Sequence, residues 1–392
     1  MISGRVNCLF VPSNDSHVEW MIPIAQLLRD VSFMVIPSRR EGAPESLSSQ
    51  GYSYYEYRPG LLEEIRPAKI VLGNDWSPEE LLILVEAKIA KIPSICIQEG
   101  AIFFPDKIKR LLNADYLFAL GKKTFEYFPH PHGIITGNPK FDKYYRFPLP
   151  DLPNIMVNLN FTYGVEAQYR DIWLNDVLSV LQDTGVEYFI SAHPRQNNIN
   201  NIKADFPVIL SNAFTTAQQI MRSTLLISRF STLIYEVVAA GRKVIYYNPH
   251  NERFLTFQGG YKGVVYEAKS KNELRETLEY ILEHPQIDEA VWRDYMIYHL
   301  GTADRDSAKR CAVALENIHG DGLLDNLEDL IKRTHEIMVD TLEANKWLKG
   351  QYHTLSDEVK RLESIVADMS DRSLKGFFRR LSSRVYAFWR KN

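Results

Sequence analysis

Three short stretches place hydroxyl, amide and cationic side chains directly after apolar runs: Asn158-Leu-Asn160-Phe-Thr162-Tyr-Gly164, His193-Pro-Arg195-Gln196, and Ser228-Arg-Phe-Ser231-Thr232 followed by Glu236. Ser231 and Thr232 stand where TLLISR gives way to STLIYEVVAA. A hydroxyl at such a junction caps a helix, and the open amides of the first turn, with the helix dipole, suit a phosphate. Glu236 lies at the same end, within reach of ribose hydroxyls; a capping box with a solvated glutamate is the plainer use of the same residues. His193 and Arg195 add positive charge suited to a phosphate leaving group, although a histidine after a strand also serves structural ends. Asn14, Asp15, His17 and Glu19 follow VNCLFVP, and Asn74 with Asp75 follows KIVLG. Asp15 or Ser16 is the expected N-cap of the next helix, which leaves His17 in its first turn, facing a cleft mouth. The sequence contains no GxGxxG, no GxxxxGK[ST] and no His/Cys metal spacing. The expected chemistry is therefore a metal-free transfer, with leaving-group charge met by His193, Arg195 and helix amides.

Side chains so placed need elements that bring their loops to one edge. Apolar runs alternate with helical stretches from the start: VNCLFVP (6–12), a helix near His17 to Arg29, VSFMVIP (31–37), KIVLGND (69–75), a helix from Pro78 to about Ala90, IPSICIQ (92–98), a helix near Lys107 to Leu112, YLFALG (116–121) and GIITG (133–137). That rhythm predicts a parallel sheet with crossover helices. KFDKYYRFPLPDLPN has no period and is rich in turn residues toward its end, so it reads as a connection between domains. A second series runs from NIMVNLN (154–160) through a helix over about 167–184, YFISAHP (188–194), PVILS (207–211), a helix near Thr216 to Met221, TLLISR (224–229), a helix near Thr232 to Ala240, KVIYYN (243–248) and VVYE (264–267). Helix pairs over 271–283 and 288–318 close it. The expectation is two doubly wound, Rossmann-like α/β domains, 1–150 and 151–320, with ligands in the cleft at the carboxyl ends of their strands.

Composition narrows the classes. With 392 residues the chain fits two domains and an extension, and 45% hydrophobic with 24% charged residues excludes disorder, collagen and a disulfide-stapled miniprotein. Cys8, Cys96 and Cys311 are too widely spaced for a disulfide framework or a zinc site and suit a reducing compartment. No stretch approaches the roughly 20 apolar residues that span a bilayer, and the first residues run straight into a strand, so neither secretion nor membrane spanning is expected. A net charge of -3 is no signature of nucleic-acid binding.

ISAHPRQ, LLISRFSTLIYEVVAAGRKVIYYNP and TGNPKFD together resemble the nucleotide-binding half of glycosyltransferases with the GT-B fold. The nearest resemblance is to the bacterial group of CDP-glycerol glycerophosphotransferases and of capsule or lipopolysaccharide transferases that use CMP-activated sugars. TGNPKFD is also similar to its counterpart in UDP-N-acetylglucosamine 2-epimerases, which share that fold. The motifs lie in 133–142 and 188–250, and the architecture extends over about residues 1 to 315. The resemblance implies His193 and Arg195 at the donor phosphate, Ser231 and Thr232 at phosphate or ribose, and Glu236 at the ribose. Asn160 and Ser228 are expected beside them, with Asn14, Asp15 and Asp75 toward an acceptor in the first domain. Where many relatives of that group have Gln-His-Gly after a first-domain strand, this chain has Gln98-Glu99-Gly100. In that place Glu99 would deprotonate an acceptor hydroxyl, with His17 a further catalytic candidate; a capping role near Ile102 is the alternative for Glu99. No cofactor beyond a nucleotide-sugar substrate is implied, and a cytidine-linked donor is expected. Glycerophosphotransferase, 2-epimerase and a non-catalytic assembly scaffold are the other readings.

Beyond His319 the pattern is helical throughout. Leu327, Ile331, Thr334, Met338, Thr341, Asn345, Leu348, Tyr352, Leu355, Val359, Leu362, Val366 and Met369 alternate four and three, which predicts a coiled coil over 321–370 and a homo-oligomer. A long helix packed back on its own globular part is the other reading, and on the coiled-coil reading a cut after His319 should leave folded domains. In 371–392 the spacing changes: Leu374, Phe377, Phe378, Leu381, Val385, Phe388 and Trp389 fall within an arc of about 120°, with Arg379, Arg380 and the other basic residues outside it. This predicts an interfacial helix on an anionic membrane, peripheral at the cytoplasmic face of a bacterial inner membrane, where a lipid-linked glycan would be the acceptor; a helix docked on a partner protein is the alternative. Each basic residue near such a leaflet is worth about 1 kcal/mol. A peptide of residues 372 to 391 should therefore bind anionic vesicles in a sedimentation assay and lose most of that binding between about 0.1 and 1 M salt. Binding that ignores salt would point to the partner-protein alternative.

Overall fold

The computed structural model describes residues 6–37, 42–101, 110–161, 166–192, 208–212, 215–252, 254–320, 322–323 and 327–344. Strands buried on both faces read as unbroken apolar runs, and such runs form the first sheet. Its strands are β1 (Cys8–Val11), β2 (Val31–Val35), β3 (Tyr54–Glu56), β4 (Lys69–Leu72), β5 (Ser94–Ile97), β6 (Tyr116–Ala119) and β7 (Gly133–Ile135). They lie in the order β3-β2-β1-β4-β5-β6-β7, every pair parallel, with Phe10 in register with Phe33 and Val71. The helices among them are α1 (Asp15–Ala25), α2 (Ala43–Ser49), α3 (Leu61–Ile65), α4 (Pro78–Ile89) and α5 (Lys122–Tyr127). The second sheet joins β8 (Asn154–Leu159), β9 (Glu187–Ala192), β10 (Val208–Leu210), β11 (Leu225–Ser228), β12 (Lys243–Tyr247) and β13 (Val265–Ala268) in the parallel order β10-β9-β8-β11-β12-β13. With it go α6 (Arg170–Thr184), α7 (Thr215–Met221), α8 (Leu233–Ala239), α9 (Lys271–Glu283) and α10 (Glu289–Leu300). Strand order reverses between β1 and β4 and between β8 and β11, so the crevices that bind ligands in such folds open beside Ser13 and Gly73 in one sheet and Asn160 and Arg229 in the other.

Elements α2, β3, α3 and α5 are absent from the sequence reading; the three helices are five to seven residues long, and β3 is a half-buried edge strand of three. The helix expected near Lys107 to Leu112 lies mostly outside the described residues, and 110–112 are turn and bend.

Two expectations about organisation are corrected. The chain does not remain in the second domain to residue 320. After α10, which buries Trp292, Tyr295, Met296 and Leu300 in the second core, it recrosses, and α11 (Ser307–Glu316) buries Cys311, Ala312 and Leu315 beside Phe10, Trp20 and Phe33 of the first. The crossing brings backbone onto backbone: a Cβ at Gly121 would lie 2.5 Å from the Tyr298 carbonyl oxygen, and one at Gly301, whose φ is +77°, would lie 2.4 Å from that of Leu120. Lys69, buried, then holds the end of α11 by donating from Nζ to the carbonyls of Leu315 (2.6 Å) and Ile318 (2.8 Å).

The second correction concerns the heptad region. Its first turns, α12 (Leu327–Ala344), pack on α4 instead of standing free. Leu330 is fully buried in the first core, with Leu327, Ile331 and Ile337 against it, and Arg333 donates to Asn113 Oδ1. Ahead of the helix, Lys88 Nζ is paired with Asp115 and donates to the Leu323 carbonyl at 2.8 Å. Thus α11 covers one face of the first sheet with α1 and α2, and α12 covers the other with α3 and α4. The heptads from residue 345 and the tail residues Leu374, Phe377, Phe378, Arg379, Arg380, Leu381, Phe388 and Trp389 lie outside the described residues. No helix among the described residues is long and apolar enough to cross a membrane.

Because α12 completes a core, Leu330→Ala should destabilise the first domain by about 2–5 kcal/mol, the range for burying a cavity in place of a leucine. A chain ending at His319 should melt below one ending at Ala344. Thermal unfolding of the three proteins checks both, and identical midpoints would return α12 to a free-standing helix.

Candidate functional site

Glu99 follows β5, and the residue before it is fixed from all sides. Gln98 accepts at Oε1 from Leu120 N–H (3.0 Å) and Thr124 Oγ1 (2.7 Å), donates from Nε2 to the Gly100 carbonyl (2.9 Å), and accepts at its own carbonyl from Asn138 Nδ2 (3.0 Å). Pinned there, the chain presents Glu99 to the cleft with its side chain 29% exposed. Glu99 Oε2 accepts from His17 Nε2 at 3.0 Å and Oε1 from Ser16 Oγ at 3.1 Å. Both partners come from the start of α1, whose N-cap is Asn14, accepting from His17 N–H at 2.8 Å, in place of the expected Asp15 or Ser16. His17 Nδ1 accepts from Ser13 N–H at 3.2 Å, so the ring hydrogen sits on Nε2, aimed at the carboxylate. The imidazole is fully buried. It does not face a cleft mouth; it lies under Glu99 and orients it.

The third partner comes from the segment that sequence reading gave to the interdomain connection. Asn138 Oδ1 accepts from Lys140 N–H at 2.8 Å and shapes a 3-10 turn over Pro139–Phe141. Lys140 Nζ then lies 3.5 Å from Glu99 Oε1 and 3.9 Å from Glu236 Oε1, joining a carboxylate of each domain. Tyr144 donates to Glu236 Oε2 at 2.5 Å, and Lys143 pairs with Glu19 of α1 at 2.7 Å. The connection is held on its far side too, where Arg242 donates to the carbonyls of Phe147 and Pro148 at 2.7 Å each. Burial alone would push the Glu99 carboxyl up; the hydrogen bond from His17 Nε2, the charge of the Lys140 ammonium and the hydrogen bond from Ser16 hold it instead well below the usual carboxylate range. Burial likewise works against the Lys140 ammonium, and Glu99, Glu236 and Glu19 more than offset it.

Second-domain loops meet this group directly. Thr232 Oγ1 accepts from Ala101 N–H at 3.2 Å, and a Cβ on Gly100 would lie 2.4 Å from that hydroxyl. Ser231 Oγ accepts from Leu233 N–H at 3.2 Å, the expected capping use. At the switch point of the second sheet Arg229, fully buried between the rings of Phe161 and Phe230, pairs with Glu252 at 2.7 Å and donates to the Asn160 carbonyl at 3.1 Å. Asn160 Nδ2 donates to the Phe230 carbonyl (2.8 Å), Ser228 Oγ to that of Arg229 (2.6 Å), and Asn158 Nδ2 to Ser228 Oγ (2.9 Å). Asn160 and Ser228 thus hold loops together.

The structure brings together Glu99, His17, Thr232 and Glu236 from the expected set, and adds Lys140 and Tyr144, which sequence reasoning missed. The signal was present: a lysine directly after the Asn-Pro turn of TGNPKFD. Asp75 does not face an acceptor. It is fully buried, accepts from the amides of Leu111 (2.7 Å), Asn113 (2.8 Å) and Ala114 (3.4 Å), and burial, only partly offset by those bonds, pushes its carboxyl up to about 6. Asp15 is exposed and accepts from Ser16 N–H at 2.8 Å. His193 and Arg195 lie outside the described residues, as do 162–165.

Gly73 makes room for the buried ring, since a Cβ there would lie 2.3 Å from His17 Nδ1. Gly73→Ala should displace the imidazole and destabilise the protein by about 1–3 kcal/mol, the usual cost of overpacking. Chemical denaturation reads this directly, and an unchanged midpoint would mean that the ring yields without consequence.

No protein-family model matches the sequence, nor does any curated protein. Solved structures do match. A Methanocaldococcus jannaschii UDP-GlcNAc 2-epimerase, in complex with UDP-GlcNAc and UDP, is 13% identical with a TM-score of 0.55, covering 79% of this chain and 99% of its own. The calicheamicin glycosyltransferase is 13% identical with a TM-score of 0.51, over 80% and 98% of the two chains. A wall teichoic acid polymerase is 11% identical with a TM-score of 0.52, over 80% and 89%. Two parallel-sheet domains, a recrossing helix and these neighbours together establish the GT-B fold, common to nucleotide-sugar glycosyltransferases and UDP-GlcNAc 2-epimerases.

Proposed function

We propose that the chain is a glycosyltransferase that moves a sugar from a nucleotide-activated donor, CMP- or CDP-linked, to a lipid-linked bacterial surface glycan. The observation that carries this reading is Glu99: an ionised carboxylate, partly open to the cleft, held by His17 and Lys140 opposite the Ser231, Thr232 and Glu236 edge of the second domain. The acceptor hydroxyl would give its proton to Glu99 as its oxygen bonds to the anomeric carbon. The sugar-to-phosphate bond breaks as that bond forms, and the nucleotide leaves with the electron pair. Arg195 and His193, by resemblance, and Lys140, by position, would meet the leaving charge. His17 is a positioning residue in this scheme, because its ring is buried behind the carboxylate. The coiled-coil register from 345 and the basic apolar tail support an oligomer on the cytoplasmic face of an inner membrane, where lipid-linked acceptors are presented.

A UDP-GlcNAc 2-epimerase is the second reading, favoured by the epimerase neighbour and by two carboxylates, Glu99 and Glu236, bracketing one site. A CDP-glycerol type glycerophosphotransferase would use the same base and the same nucleotide edge.

Turnover with a panel of CMP-, CDP- and UDP-linked donors and a lipid-linked acceptor tests the proposal, with Glu99→Gln as the diagnostic variant. Transfer to acceptor should fall at least about tenfold in kcat while nucleotide binds no more weakly than to the wild type, because the carboxylate belongs to the acceptor half. Conversion of UDP-GlcNAc to its 2-epimer without acceptor would replace the transferase by the second reading. Wild-type kcat in the glutamine variant would remove Glu99 as the base.

A further inference from the structure

Lys140 is held differently from Lys69, Arg229 and Arg242, three other buried cations among the described residues. Lys69 and Arg242 donate at 2.6–2.8 Å to backbone carbonyls, and Arg229 reaches Glu252 at 2.7 Å. Lys140 Nζ stands 3.5 Å from Glu99 and 3.9 Å from Glu236, well outside the 2.7–2.9 Å of a charge-assisted hydrogen bond, on a flexible four-carbon stem that is 15% exposed. Both carboxylates have closer partners. Glu99 has His17 Nε2 at 3.0 Å and Ser16 Oγ at 3.1 Å; Glu236 has Tyr144 at 2.5 Å. Each therefore keeps a hydrogen bond if the ammonium leaves. The stem roots in a turn fixed by Asn138, so the charge can swing while its base stays put.

We propose that Lys140 is a phosphate-binding residue that leaves the Glu99 and Glu236 carboxylates for the phosphoryl group of a bound nucleotide. This rests on the donor reading above and deepens it. A carboxylate facing an ammonium is a feeble base, and a base so weakened takes a hydroxyl proton slowly. Of the groups that face Glu99, His17 and Ser16 come from α1 and Lys140 from the connection; Lys140 itself also faces Glu236 from α8 and Glu19 from α1. When a phosphate takes Lys140, only His17 and Ser16 remain on Glu99, and its proton affinity rises. The base is thus strengthened by donor binding, and in the empty enzyme it stays neutralised.

The test follows the Glu99 carboxyl directly. Full-length protein labelled with carbon-13 at the glutamate side-chain carboxyl is titrated by NMR with and without saturating CDP, the Glu99 signal being assigned by its loss in Glu99→Gln. In the wild type, CDP should raise the Glu99 midpoint by at least about one pH unit, a tenfold gain in proton affinity. In Lys140→Met the midpoint should already be raised without ligand, CDP should add nothing, and CDP should bind at least about tenfold more weakly by calorimetry; Lys140→Arg should restore affinity. An unchanged melting temperature in Lys140→Met shows that the fold is kept; if that variant unfolds, the wild-type shift with CDP, and its absence with cytidine, decides alone. The proposal is overturned if CDP binds the wild type without moving Glu99, or binds Lys140→Met as tightly as the wild type, and either result leaves the donor reading standing. If CMP, CDP, UDP and pyrophosphate all fail to bind the wild type, the donor reading falls, and the role of Lys140 with it.

Discussion

Where two separately packed sheets meet, a carboxylate taken from most of its water has to be compensated, and Glu99 imposes that requirement on its surroundings. An ion in such a place costs several kcal/mol unless charge and hydrogen bonds offset it. Compensation comes from segments far apart in sequence, and each needs its own support. His17 can sit beneath the carboxylate only because residue 73 has no Cβ, and its ring hydrogen points upward because the Ser13 amide occupies the other nitrogen. Lys140 reaches Glu99 only because Asn138 turns the chain at the exit of the first domain. The same Asn138 donates to the Gln98 carbonyl, so the turn that delivers the cation also fixes the strand end that delivers the anion.

That arrangement also ties the two domains together through polar contacts. Each sheet has apolar clusters on both faces, while the junction at the strand ends joins polar contacts, Thr232 with Ala101 and Lys140 with its two carboxylates, to the burial of Leu120 in the second core. The glycine-lined crossing between α10 and α11 supplies a second junction behind the cleft.

Much of the fold was legible because parallel strands buried on both faces leave short apolar runs, such as Cys8–Val11 and Ser94–Ile97, that recur between helical stretches. Glu99 was legible through the resemblance, standing where many relatives have the His of Gln-His-Gly. Lys140 was not: in a segment without period and rich in prolines it reads as a solvated turn, and only the fold puts Glu99 and Glu236 within 4 Å of it. Asp75 failed for the opposite reason, since an aspartate after a strand looks the same whether it meets a ligand or collects backbone amides, as it does here. The allegiance of α11 was invisible because its apolar stripe fits either core, and its partners Phe10 and Phe33 lie some 270 to 300 positions away in sequence.

The start of the C-terminal extension shows how far a heptad can mislead. Leu327, Ile331 and Thr334 satisfy a coiled-coil seam and also lie on the face that packs against α4; Leu330, Arg333 and Ile337, outside the seam, widen that face to the breadth a core-facing helix needs. A 3.5-residue repeat and a 3.6-residue stripe differ by only about 20° per heptad, so two turns of sequence cannot separate them. The consequence is mechanical. Arg333 through Asn113 and Leu330 through the α4 face join the extension to the first domain, and Lys88 holds the chain just ahead of it. On the proposed reading, in which the tail rests on a membrane, the acceptor domain is the one fixed relative to the lipid surface. The second domain, with the donor edge at Ser231 and Glu236, is then the part free to approach it. That division suits a lipid-linked acceptor, which stays in the bilayer, and a soluble nucleotide donor, which has to be captured from solution and carried to Glu99.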